Sequence, residues 1–128
     1  MDVDSLHPDR RVLVIGAASL DVLGQPIGVP EAGTSNPAHV RTSFGGVARN
    51  VAENLARLGQ PVTLISAVGK DDLGSQLLSH TASAGVDVSH CLQVSDAVTA
   101  AYIAILDEKG NLYYGLDDMS ILRHVSSA

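Results

Sequence analysis

The sequence predicts an α/β fold, a parallel sheet with helices packed on it and a small second sheet beside it. Hydrophobic residues make up 45% of the 128 positions while aromatics are only 3% and Trp is absent. The core is therefore built from Val, Leu, Ile and Ala, as in buried parallel strands covered by helices. Residues 12–15, 45–59 and 62–68 read as strand, helix and strand, a βαβ unit with a right-handed crossover. Residues 99–106 and 111–115 are strand candidates, and Asp107-Glu108-Lys109-Gly110 between them is good chemistry for an antiparallel hairpin.

Taken in order, residues 12–15 (VLVI) are a continuous apolar run and read as a buried first strand. Gly16-Ala17-Ala18-Ser19-Leu20-Asp21 follows. Only Gly16 of a G-x-G-x-x-G fingerprint is in place and no Walker A sequence occurs, so neither common phosphate loop is present. Asp21 lies just beyond the carboxyl end of the strand, where open α/β sheets place their ligand crevices. A carboxylate there either accepts hydrogen bonds from ligand hydroxyls or serves as a turn or cap residue, and position alone does not separate the two. Residues 22–44 contain Pro26, Pro30 and Pro37 with repeated Gly, which excludes a long helix. Residues 22–23 and 39–44 read as short extended pieces around an irregular loop, and an excursion this long marks a lid or binding loop.

Residues 45–59 (GGVARNVAENLARLG) then form a helix behind two glycines. Val47, Val51, Leu55 and Leu58 recur at helical spacing and predict one buried stripe, with Asn50, Asn54 and Arg57 on another face. Gly59 supplies the left-handed position that ends helices. A helix N-terminus offers unpaired N–H groups and a positive dipole end, and Gly45 and Gly46 let a ligand approach the backbone. That suits an anion or a polyhydroxylated ligand; a tight strand-to-helix turn is the plainer use of the same residues. Residues 62–68 (VTLISAV) read as one buried strand, and Asp71 or Asp72 caps the next helix. That helix carries Leu73, Leu77, Thr81 and Ala84 on one face and stops near Gly85, before a short strand around residues 91–94.

Composition excludes several function classes. Net charge is −6 with no basic run, which argues against nucleic-acid backbone binding. The single cysteine, Cys91, rules out an internal disulfide or a Cys-based zinc site and reads as a small buried hydrophobe. The five histidines, His7, His39, His80, His90 and His124, show no i,i+4 pairing, so no metal site is expected. No Gly-x-Ser-x-Gly elbow or other nucleophile system occurs. The first residues place acids before arginines with no apolar stretch, unlike a signal peptide, and no apolar run approaches the ~20 residues of a membrane span. A soluble cytoplasmic protein without membrane partners is the expectation.

Gly45-Gly46-Val47-Ala48-Arg49-Asn50-Val51-Ala52, six residues, Gly59, nine residues and Gly69 resemble the N-terminal signature of the PfkB (ribokinase-like) carbohydrate kinase family. The element order agrees. The resemblance implies a ribokinase-like fold, a parallel Rossmann-like sheet with flanking helices plus a small β lid sheet. Residues 1–128 would be the N-terminal part of the kinase domain, with lid segments at about 22–44 and 98–116. Within the family, four features are most similar to the members that phosphorylate pseudouridine: Ser35-Asn36-Pro37; GGVARN with NLARLG; Leu64-Ile65-Ser66-Ala67-Val68-Gly69; and Leu106-Asp107 with Gly110, followed by Asp117-Asp118-Met119.

The activity implied is transfer of the ATP γ-phosphate, with Mg²⁺, to a ribose 5′-hydroxyl. Carried over by motif, Asp21 would bind ribose hydroxyls, and Gly45, Gly46 and Asn50 would hold the sugar from the opposite side. Ser35, Asn36 and the lid strands, including Thr99 and Asp118, would cover the base, and those strands would also pair a homodimer. The family's second signature, an Asp-Thr-Gly-Ala-Gly-Asp-like anion hole with the catalytic Asp beside ATP, does not occur here. No catalytic residue is therefore assigned. The chain is expected to be an incomplete truncated fragment carrying the substrate-binding half without the ATP-binding part, and to show no turnover alone. The competing expectations are a ribokinase- or fructokinase-like member of the family, and a non-catalytic protein that binds sugar or pairs through its lid.

Overall fold

The computed structural model describes residues 9–126. His7 and most of the N-terminal stretch read above for a signal lie outside the described residues, as do Ser127 and Ala128. The elements run β1 (Val12–Ile15), β2 (Ser19–Pro26), β3 (Ala38–Gly45), α1 (Val47–Arg57), β4 (Val62–Ile65), β5 (Ala67–Gly69), α2 (Asp72–Ser83), β6 (Leu92–Val94), β7 (Ala101–Leu106) and β8 (Leu112–Asp118), ending in a 3₁₀ turn at Ser120–His124.

β1 and β4 pair in parallel, Val12 beside Val62 through Ile15 beside Ile65, with α1 as the crossover. Residues 62–68 are not one strand. Gly16 donates to the Ile65 carbonyl at 3.0 Å, and there the chain leaves β1 for a different sheet. With no partner left on that side, the strand breaks at the buried Ser66. β5 beyond it pairs in parallel with β6 instead.

The helix stripe is also corrected. α1 buries Ala48, Arg49 and Ala52, whereas Val47 is 79% exposed and Val51 and Leu58 are exposed too. The Arg49 N–H donates to the Ala17 carbonyl at 3.1 Å, which fixes the helix rotation about its axis. The short Ala48 and Ala52 side chains then face the sheet, packing with Ala18, Val62, Leu64, Val68, Leu77, Leu78 and Val86. β1 is covered on one face only, since Leu13 is 56% and Ile15 60% exposed. On α2, Gly74, Leu77, Leu78 and Thr81 are buried, so Leu78 and Gly74 replace the expected Leu73 and Ala84.

Residues 19–45 are a long hairpin rather than an irregular loop, paired from Ser19 beside Gly45 to Pro26 beside Ala38. Its prolines Pro26, Pro30 and Pro37 fall at or beyond the strand ends, where a missing N–H costs nothing. β7 adds to β2 in parallel, and β8 to β7 antiparallel, giving a four-stranded lid sheet ordered β3-β2-β7-β8.

Candidate functional site

Asp21 is not in a turn after β1; it sits inside the lid sheet, paired with Ser43 on one side and Tyr102 on the other. Buried Ser19, two residues back on the same face, donates its hydroxyl to Asp21 Oδ1 at 2.9 Å. Gly45 lies across from Ser19, and a Cβ built there would fall on the Asp21 carboxylate. The missing side chain of Gly45 is what gives Asp21 its place. Gly46 is different: its φ is 95°, and a Cβ would run into the Ala17 carbonyl. That carbonyl is the one Arg49 N–H binds, so Gly46 lets the strand-to-helix turn close against the β1–β2 turn. One N–H of the helix N-terminus is thereby spent inside the protein, which weakens any reading of the turn as a phosphate cradle.

Asn50 follows on the first turn of α1. Its Oδ1 accepts from Arg49 Nη2 at 3.0 Å, and the same guanidinium group is ion-paired to Glu53 at 2.6 Å. Arg57 binds the other Glu53 oxygen at 2.7 Å and, with Arg49, holds that carboxyl below its ordinary value against the opposing effect of burial. With its oxygen engaged, the exposed Asn50 has its amide N–H₂ left as a donor. Asp21, Gly46 and Asn50 together line a hollow of about 320 Å³ with Ser19, Tyr102 and Met119. An acceptor carboxylate facing a donor amide across backbone that carries no side chain is suited to a vicinal diol.

The other expected residues are elsewhere. Thr99 is buried, its hydroxyl accepting from Gly69 N–H at 2.9 Å and donating to Asp71 Oδ1 at 2.9 Å, which anchors the start of α2. Asp118 pairs with Ala101, on the lid face opposite Asp21, and its carboxylate accepts from Ser120 at 2.8 Å. Its neighbour Asp117, opposite Tyr102, shares the face of Asp21. Ser35 and Asn36 are at the far tip of the first hairpin; Asn36 bonds the main chain of Glu31 and lines a hollow with Ile105 and Tyr114. Ser19 and Tyr102 carry no role in the sequence reading, and Met119 enters it only within the Asp117-Asp118-Met119 feature. Only the register of β2 against β7 brings Tyr102 to Asp21, and no linear pattern carries that information. Among the described residues no three His, Cys, Asp or Glu side chains converge on one point.

Residues 9–123 match the pfkB family carbohydrate kinase. The chain belongs to that family. It is 39% identical over 116 residues to a pseudouridine kinase of Escherichia coli, covering 91% of this chain and 37% of the relative. Among solved structures it is similar to a carbohydrate kinase from Agrobacterium tumefaciens (TM-score 0.78, 35% identity, 88% of this chain and 36% of that one). It is also similar to a ribokinase from Cryptococcus neoformans in complex with ADP (TM-score 0.71, 26% identity, 84% and 34%). The pfkB chain described here thus spans little more than a third of the length of these relatives. Its fold is ribokinase-like.

Proposed function

We propose that this chain supplies the sugar-binding half of an ATP-dependent nucleoside kinase, and that its substrate is pseudouridine, phosphorylated at the ribose 5′-hydroxyl. The observation that carries the reading is the acceptor–donor pair of Asp21 and Asn50 across the side-chain-free Gly45-Gly46 backbone. The 39% identity to a pseudouridine kinase favours that nucleoside over free ribose. In this reading Asp21 accepts from the ribose diol, Ser19 keeps the carboxylate oriented, and Asn50 donates to a sugar oxygen. Holding the sugar fixed leaves its 5′-hydroxyl directed at the phosphoryl donor, which is the contribution this half makes to transfer. ATP and Mg²⁺ belong to the proposed whole enzyme, and no step is assigned to the metal.

Calorimetric titration of the purified chain tests this. Pseudouridine is expected to bind, and Asp21→Asn to weaken it at least ~10-fold, the cost of one lost charge-assisted hydrogen bond. Incubation with ATP and Mg²⁺ is expected to give no phosphorylated product from the 128 residues alone. Binding indifferent to Asp21→Asn, or turnover by the chain itself, refutes the assignment. We further propose that the lid face opposite Asp21 pairs two copies of the chain. Val40, Ile103, Ile105, Tyr114 and Leu116 are all exposed there, on neighbouring strands.

A further inference from the structure

The lid register continues past the diol site in a way the sugar alone does not use. On the face of Asp21, the next row outward is Arg41 beside Leu23 beside Ala104, and the row after it is His39 beside Gln25. The strand rise puts the Leu23 row about 7 Å from Asp21. The proposed ribose site at Asp21 and this row share one face of the lid, so a base carried on that ribose has the row within reach. Leu23, Gln25, His39 and Arg41 line a second hollow of about 410 Å³ on this face. Leu23 gives it an apolar wall for a flat ring, with buried Ala104 next to Leu23 in the sheet. Gln25 reaches towards the Glu108 carbonyl at 3.5 Å, so it is turned to the β7–β8 loop. Arg41 is exposed and has no hydrogen bond or ion pair to the described residues, in a chain whose net charge is −6.

We infer that Arg41 is a specificity residue that reads the base. This rests on the ribose assignment at Asp21 and extends it to the substrate class. A guanidinium carries donors only, so it matches a base edge presenting carbonyl oxygens and leaves an amino edge unmatched. The Arg41–Leu23–Ala104 row therefore selects a nucleoside with an oxo-rich base, such as a pyrimidinedione, over adenosine and over free ribose.

The test compares pseudouridine, ribose and adenosine by calorimetry on the full chain, on Arg41→Met and on Asp21→Asn. Methionine keeps the apolar stem and removes the donors, and a thermal melt checks that the exposed substitution leaves the fold intact. The native chain is expected to prefer pseudouridine over ribose and over adenosine at least ~10-fold, the scale of one buried charged hydrogen bond. Arg41→Met is expected to bring the pseudouridine-to-ribose ratio close to ~1. Equal affinities in the native chain, or a ratio unmoved by Arg41→Met, overturn the base-reading role; if Asp21→Asn still abolishes binding, the ribose site survives. Binding insensitive to Asp21→Asn, or no binding of any of the three, overturns both.

Discussion

Gly45 and Gly46 adjoin in sequence yet lack side chains for separate reasons, and substitution should tell them apart. At Gly45 the backbone is ordinary β-strand, and the space a Cβ would take is occupied by the Asp21 carboxylate. Gly45→Ala is expected to push Asp21 aside, weakening nucleoside binding ~10-fold or more while costing about 1 kcal/mol of stability. At Gly46 the φ of 95° and the Ala17 carbonyl both oppose any side chain. Gly46→Ala is expected to cost about 2–3 kcal/mol, because the turn that locks α1 to the β1–β2 turn must open. Urea melts alongside titrations of both variants check this; equal stability losses would mean the two glycines do the same job.

At the scale of elements, each helix is set by one polar anchor that its apolar pattern does not reveal. α1 is rotated so that Arg49 is buried, and Glu53 makes this tolerable by accepting from both Arg49 and Arg57. α2 starts at Asp71, whose side chain accepts from Gly74 N–H at 2.7 Å and from the Thr99 hydroxyl. The Gly74 bond first, then those from Thr99, hold the Asp71 carboxyl below its ordinary value, opposed by desolvation. A lowered folded-state value means the carboxylate stabilises the fold above the ordinary value of 3.8 and loses that contribution as pH falls below it. Asp71→Ala is expected to cost about 1–2 kcal/mol near neutral pH, the usual worth of an N-cap. The gap between native and variant should narrow as melts are carried to pH values progressively further below 3.8, since protonating the native carboxylate removes what it contributes. A gap that stays constant with pH would assign the loss to packing instead.

For the whole molecule, two sheet faces carry exposed apolar side chains. One is the side of β1 carrying Leu13 and Ile15; the other is the lid face opposite Asp21. The second face is the proposed contact between copies, and it leaves the Asp21 face free for ligand. Sedimentation is expected to show a concentration-dependent dimer, and the double variant Ile103→Glu with Leu116→Glu is expected to be monomeric with nucleoside binding retained. A native chain that stays monomeric at high concentration would exclude this contact.

Much of the local structure could be read directly from the residues. The apolar run of β1, the βαβ crossover, an aspartate cap at 71 or 72, the Gly59 and Gly85 helix ends and the β7–β8 hairpin all follow from short-range patterns, and the structure selects Asp71 as the cap. The spaced Gly-Gly signature likewise pointed to the family. Burial and register did not follow. Val47 and Ala48 are adjacent on one helix, and only contact between α1 and the sheet decides which of them is covered. Residues 62–68 are uniformly strand-like, and only the departure of β1 at Gly16 splits them. Asp118 and Asp117 are equivalent in sequence until pairing with β7 turns one towards Asp21 and the other away. Side-chain chemistry and local propensity are properties of the residues themselves. Which groups converge on a ligand depends on partners far away in the chain, and that was decided by the tertiary structure.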